Sequence, residues 1–187
     1  MTSKRVQQLQ EQGERTRARI VEVAQATFAA EPAASLSAIA AAAGVGIGTL
    51  YRHFPTREDL VFELYRHEVT ELADGARELL ATRPAREALR LWLDAYADFV
   101  MAKAGLLGAL RSGATHGQFA QEAYGPVAHA IQRLIDANEA AGTIRHGATP
   151  DDVLLAMDGI YNLDPDSDWR PRADRLFDLI VAGLQHS

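Results

Sequence analysis

An all-helical fold of nine or ten helices is what this sequence predicts, and three observations predict it. Apolar residues recur at three- and four-residue spacing through most of the 187 positions, which is the stripe of an amphipathic helix. No stretch alternates apolar and polar residues as a half-buried strand would, and no internal repeat is present. The stripes are separated by Gly, Pro and short polar clusters, the residues that end and start helices.

The elements follow in order. Residues 1–14 are polar and Gln-rich and are expected to form a flexible arm ahead of the first packed helix. From about Arg15 a stripe of Ile20, Val23, Ala24, Thr27 and Phe28 marks a helix that Glu31-Pro32 ends. Ser35 suits an N-cap, since its hydroxyl can accept from an orphaned amide, and Ala38 to Ala43 continue as a short helix. Gly44-Val45-Gly46 stops it, with Gly44 where a left-handed residue is wanted. A second short helix runs from about Ile47 to Phe54, before Pro55. Ile39, Val45, Leu50 and Phe54 supply an apolar seam between the two. Two short helices about a glycine turn form a helix-turn-helix.

Burying Leu50 and Phe54 turns Thr49, Tyr51, Arg52 and His53 outward. Hydroxyl, phenol, imidazole and guanidinium groups are those that contact phosphates and base edges, and a helix fits the major groove. An ordinary solvated face is the alternative for any one of these residues taken singly.

The string Ser35-Leu36, Ile39-Ala40, Ala43-Gly44-Val45, Gly48-Thr49-Leu50-Tyr51, His53-Phe54 and Arg57-Glu58-x-Leu60 resembles the DNA-binding region of the TetR family of bacterial one-component regulators. The motif covers roughly a quarter of the chain. The resemblance implies a homodimer with N-terminal DNA-reading heads and a larger helical C-terminal domain that binds a small molecule. It also implies that Thr49, Tyr51, His53 and Arg57 occupy DNA-contacting positions, with Ser35 and Ser37 nearby. Two residues depart from the pattern. Gly46 stands where the family often has Ser, so the second helix loses a side-chain cap. Ile47 stands where a basic or polar residue is frequent, leaving one contact absent or reduced to an apolar touch on a thymine methyl.

After the motif, Thr56 and Asp59 form a capping pair for a long helix whose apolar face is Leu60, Val61, Leu64, Tyr65, Leu72, Ala76 and Leu79. Pro84 starts the next helix, with Ala88, Leu91, Trp92, Ala95, Tyr96, Phe99 and Val100 as its stripe. Residues 105–117 read as a glycine-broken region. Phe119 to Ile135 carry a further helix that Ala141-Gly142 ends, and Thr149-Pro150-Asp151-Asp152 opens another through Tyr161. An acidic loop spans 162–168, and Leu176, Phe177, Ile180, Val181 and Leu184 close the chain as a final helix. The expected organisation is an arm (1–14), a three-helix head (15–60) and a helical effector-binding and dimerisation domain (61–187).

Charge and composition restrict function. The net charge of −6 does not favour a nucleic-acid coat. Residues 1–60 hold seven Lys and Arg against six Asp and Glu, so the acidity lies in the remainder. That distribution suits a protein touching DNA at one end. No cysteine occurs, which removes disulfides, thiolate nucleophiles and Cys-ligated zinc. No apolar run reaches the length of a membrane span, and the first residues lack a signal peptide's apolar stretch, so a cytoplasmic protein is expected. Gly44-Val-Gly-Ile-Gly48 lacks the third glycine and the preceding strand of a dinucleotide loop. No phosphate loop, nucleophile elbow or zinc-protease helix occurs, and neither catalytic residues nor a cofactor or metal is expected. A helical ligand- or metal-binding protein or enzyme without a DNA role is the rival class, with His116 and His129 beside a carboxylate as its metal option. An architectural DNA protein is a second rival, disfavoured by the acidic body.

In the body, Trp92, Tyr96, Phe99, His116, Phe119, Tyr124, Met157 and Tyr161 are the candidate effector-pocket residues. Each has plain core as its alternative, and the pocket itself rests on the resemblance. The last two helices are apolar over more than one face. Leu155, Gly159, Phe177, Ile180, Val181 and Leu184 are the candidate dimer interface, because a helix-turn-helix reading palindromic half-sites needs a two-fold pair; a thick monomer core is the alternative. The function these features suggest is a sequence-specific repressor, released from a palindromic double-stranded DNA operator by a small-molecule effector.

Overall fold

A computed structural model describes residues 2–31, 33–110 and 115–185, with side chains described for 5–31, 33–103 and 121–185. Among the described residues there are eight α-helices and one 3-10 segment, and no strand. They are α1 (Thr2–Ala30), α2 (Leu36–Ala42), α3 (Ile47–His53), α4 (Arg57–Thr82), α5 (Ala85–Leu110), α6 (Thr115–Ala140), α7 (Pro150–Met157), the 3-10 segment Asp158–Asn162, and α8 (Arg170–Leu184). The all-helical class holds, with a helix count just below the nine or ten expected.

Three boundaries differ from expectation, each for a local reason. The first helix begins at Thr2 rather than near Arg15; residues 4–12 are mostly Lys, Arg, Gln, Glu and Leu, which are good helix formers, with no proline to stop them. Helix α5 passes Gly105 and Gly108 to reach Leu110. A single interior glycine weakens a helix by about 1 kcal/mol relative to Ala without breaking it. Helix α7 stops at Met157, and the segment expected to continue it tightens into the 3-10 turn.

The chain divides into two compact units, Met1–His67 and Glu68–Ser187. In the first, Ile20, Val21 and Ala24 of α1 pack with Ile39, Ala40 and Ala43, with Leu50 and Phe54, and with Leu60 and Leu64 of α4. Val23, Phe28, Leu36 and Val45 flank that core. In the second, the buried stripe of α5 (Ala88, Leu89, Trp92, Leu93, Tyr96, Ala97, Val100) meets Val127, Ala130, Ile131, Leu134 and Ile135 of α6 and Ala173, Phe177, Ile180, Val181 and Leu184 of α8.

Both units use the same helix stop. Gly44 has φ +64°; its amide donates to Ala41 at 3.1 Å, and the Val45 amide reaches back to the Ala40 carbonyl at 3.0 Å. Gly142, at φ +65°, repeats the pattern with Glu139 at 3.0 Å and Thr143 to Asn138 at 2.9 Å. These paired bonds are the Schellman arrangement, which satisfies carbonyls that a helix end would leave bare. Two reciprocal capping boxes start helices: Thr56 with Asp59 ahead of α4, and Thr149 with Asp152 ahead of α7.

Candidate nucleic-acid interface

Helix α3 has only seven residues, too few to hold itself in water, so its neighbours fix it. Leu50 and Phe54 have no exposed surface. Between them they press one side of α3 into the head core and turn the opposite side out. On that outer side Ile47 is 41% and Tyr51 49% exposed, Arg52 is exposed, and Thr49 and His53 are half-buried. The N-cap, Gly46, makes no side-chain hydrogen bond, so α3 enters without a side-chain cap.

The polar residues of the motif have distinct surroundings. Ser35 accepts the Ala38 amide at 3.2 Å as the cap of α2, and Ser37 is exposed two residues on. Arg52 lies back along its own helix, with Nε 3.2 Å from the Gly48 carbonyl and Nη2 3.3 Å from the Thr49 hydroxyl. Arg57 donates to the Ala34 carbonyl, and its guanidinium lies 4.5 Å from the centre of the Phe28 ring. A DNA contact is implied for Arg57 by resemblance; its geometry gives it an internal task as well, tying α4 to the loop before α2. Ile47, Tyr51 and Arg52 are exposed on α3, with the half-buried Thr49 against Arg52.

A second arginine, Arg17 of α1, is also engaged. Arg17 donates Nη1 to the His53 carbonyl at 3.0 Å and places Nη2 2.9 Å from Glu63. Its guanidinium carbon sits 4.4 Å from the Phe54 ring centre. Nothing in the sequence pairs residue 17 with 53 and 63; only the fold does.

In the second unit, Trp92 is fully buried and its indole donates to the Leu72 carbonyl at 2.8 Å. It stacks on Tyr96 with ring centres 5.8 Å apart, and the Tyr96 hydroxyl lies 3.0 Å from that of Tyr161. Met157 is fully buried and Tyr161 39% exposed; Phe99 is half-buried. Trp92, Tyr96 and Tyr161 thus form a row from core to surface. Tyr124 is engaged elsewhere, exposed and donating to Asp151, and that bond to a carboxylate holds its phenol above the usual range. The side chains of His116 and Phe119 lie outside the described residues. Among the described residues no group of three His, Cys, Asp or Glu side chains could hold a metal.

The candidate dimer residues separate into two sets. Phe177 has no exposed surface, and Ile180, Val181 and Leu184 are each at most 8% exposed. They sit at the i, i+3, i+4, i+7 positions that face their own unit's core. Leu155 is 73% and Leu179 71% exposed instead, and Gly159 is exposed one turn beyond Leu155 in sequence. Also unforeseen is the polar lacing of α5 to α8. Arg90 bonds Asp94 and reaches Asp174 at 3.0 Å and Asp178 at 3.6 Å, while Arg170 bonds Asp98. The Arg90–Asp94 pair is readable as i,i+4 spacing; the rest needs the tertiary fold.

Comparison with known proteins agrees along both units. A family model described as bacterial regulatory proteins of the tetR family matches residues 20–64. Another, described as the C-terminal domain of SbtR-like transcriptional regulators, matches residues 84–186. The HTH-type transcriptional repressor LfrR of Mycolicibacterium smegmatis is 41% identical over 87 residues, a match covering 46% of this chain and 46% of that protein. The chain therefore spans under half the length of that relative in the match. A TetR transcriptional regulator from Streptomyces coelicolor, known from its crystal structure, is 40% identical over 91% of this chain and 99% of that one, with a TM-score of 0.72. The TetR transcription regulatory protein of Mycobacterium vanbaalenii is 32% identical over 95% of this chain and 99% of its own, with a TM-score of 0.68.

Proposed function

This chain belongs to the TetR family of bacterial DNA-binding transcriptional regulators, and on that premise we propose that it is a dimeric repressor acting in the cytoplasm, whose α3 enters the major groove of a palindromic operator. The observation that carries the reading is the outer face of α3, where Ile47, Tyr51 and Arg52 stand clear of a core that Leu50 and Phe54 anchor, with the half-buried Thr49 beside Arg52. Thr49, Tyr51 and Arg52 supply donors and acceptors for phosphates and base edges, and Ile47 supplies an apolar contact suited to a thymine methyl. His53, Ser35, Ser37 and Arg57 flank that face as backbone contacts.

A helix-turn-helix reads two half-sites about one duplex turn apart, which calls for a symmetric pair. Leu155 of α7 and Leu179 of α8, both largely exposed, support pairing, with Gly183 one turn beyond Leu179 leaving room for close approach. An effector would be held in the second unit, where Trp92, Tyr96 and Tyr161 run from core to surface. It would release DNA only by binding one conformational state more tightly than the other.

The test is Tyr51→Ala. With half of its surface already exposed, the change leaves thermal stability within about 0.5 kcal/mol of wild type. It lowers affinity for the selected operator by about 10- to 100-fold, the range of a lost base contact. Unfolding of the variant, or unchanged operator affinity, rejects the docking face.

A further inference from the structure

We propose that Arg17 is a positioning residue for DNA recognition, one that fixes the C-terminal end of α3 rather than contacting DNA, and that Glu63 is its anchor. The proposal rests on the operator-binding reading above. Three contacts converge on one guanidinium: the His53 carbonyl at 3.0 Å, the Glu63 carboxylate at 2.9 Å and the Phe54 ring at 4.4 Å. They come from the last residue of α3, from α4, and from the residue that closes α3.

The chemistry suits that task. The last carbonyls of a helix have no partner within it, and α3 is so short that such carbonyls make up half its length. Phe54 closes one bond, its amide donating to Leu50 at 2.8 Å. The His53 carbonyl is met by Arg17 from a different helix, and a cation there also complements the negative end of the helix dipole. Only a planar guanidinium offers donors in two directions while keeping a face for an aromatic ring; a lysine ammonium has no such fork. Glu63 matters because it is acidic and lies in the head, where an acidic group by itself opposes binding to phosphate. Its carboxylate is placed against Arg17, with Arg66 also 3.7 Å away.

Two roles for Arg17 predict different binding behaviour. A phosphate contact would strengthen binding to all sequences alike, and its removal would lower the salt slope by about one unit per contact. A clamp acts on geometry, so its removal weakens the operator selectively and leaves the slope in place.

The experiment uses the full-length protein, with the duplex most enriched from a random pool as operator and a scrambled duplex as non-specific competitor. Arg17→Ala is expected to lose about tenfold in operator affinity with little change on the scrambled duplex and an unchanged salt slope. Glu63→Gln is expected to weaken operator binding, against the sign that loss of a negative charge alone would give. Arg17→Lys should not restore wild-type binding, and the Arg17→Ala/Glu63→Gln double variant should lose no more than Arg17→Ala alone, as coupled partners do. A reduced salt slope in Arg17→Ala, equal losses on both duplexes, or tighter operator binding by Glu63→Gln overturns the clamp. A pool from which wild type enriches no sequence rejects the operator-binding reading and the clamp with it, whereas enrichment by wild type with unaffected variants rejects the clamp alone. If Arg17→Ala melts before it can be assayed, Glu63→Gln decides by its sign.

Discussion

Asn138 has no surface in contact with solvent, yet its amide is fully employed. Nδ2 donates to the Ala85 carbonyl at 2.9 Å and to Leu134 at 2.8 Å, and Oδ1 accepts the Thr143 hydroxyl at 2.7 Å. One side chain therefore joins the start of α5, the last turn of α6 and the loop beyond it. Asn138→Ala should cost about 2 kcal/mol through the lost bonds and the groups left dry. Asn138→Asp should cost more at neutral pH, since a carboxylate would face two carbonyl oxygens without water. Thermal unfolding at pH 7 and at pH 4 checks both, with the aspartate variant recovering in acid as its carboxylate protonates. Asn138 was invisible in the sequence because a polar residue among apolar neighbours reads as an interruption of the stripe. Arg17 and Arg57 went unassigned to their clamps for a related reason: their partners are backbone carbonyls and rings far along the chain, and a carbonyl has no letter.

At the scale of elements, the short-range chemistry was readable and the long-range was not. Ser35, Gly44, Thr56 with Asp59 and Thr149 with Asp152 all act within three or four positions of themselves, and the caps and stops they announce are present. The seam of Ile39, Val45, Leu50 and Phe54 was likewise legible, because helical period alone decides which residues share a side. What misled was the weighing of glycine: Gly105 and Gly108 look like punctuation but sit within α5, while Gly44 and Gly142 do terminate. The difference lies in the residues around them and in whether a left-handed turn follows, which the letter alone does not say. Gly44→Ala has to place a Cβ at φ +64°, at a cost of about 1 kcal/mol. Its midpoint of chemical denaturation should fall accordingly; an unchanged midpoint would mean that the turn tolerates another backbone path.

For the whole molecule, the decisive split is between apolar groups a subunit covers by itself and those it leaves bare. The wide apolar arc of α8 suggested a shared face, and helical phase divides it: Phe177, Ile180, Val181 and Leu184 turn inward, while Leu179 does not. Leu179→Glu should leave the subunit folded and shift the protein toward monomers, seen as a smaller species in sedimentation. Phe177→Glu should unfold it, because the carboxylate would enter a fully buried site. A folded Leu179→Glu protein that remains dimeric would place the pairing surface elsewhere. Sequence period could name the arc but could not divide it, since the phase of a helix against its neighbours is fixed only once they are packed.

Gly46 and Gly48 flank Ile47 at the front of α3, and a Cβ built on either would meet no atom within 4 Å. Neither requires a left-handed backbone. A Cβ can therefore be accommodated at both positions beside the Leu50 and Phe54 anchors. On the docking proposed above, the leading edge of this helix is a blank margin in which new base preferences can be written while the scaffold that holds the page stays as it is.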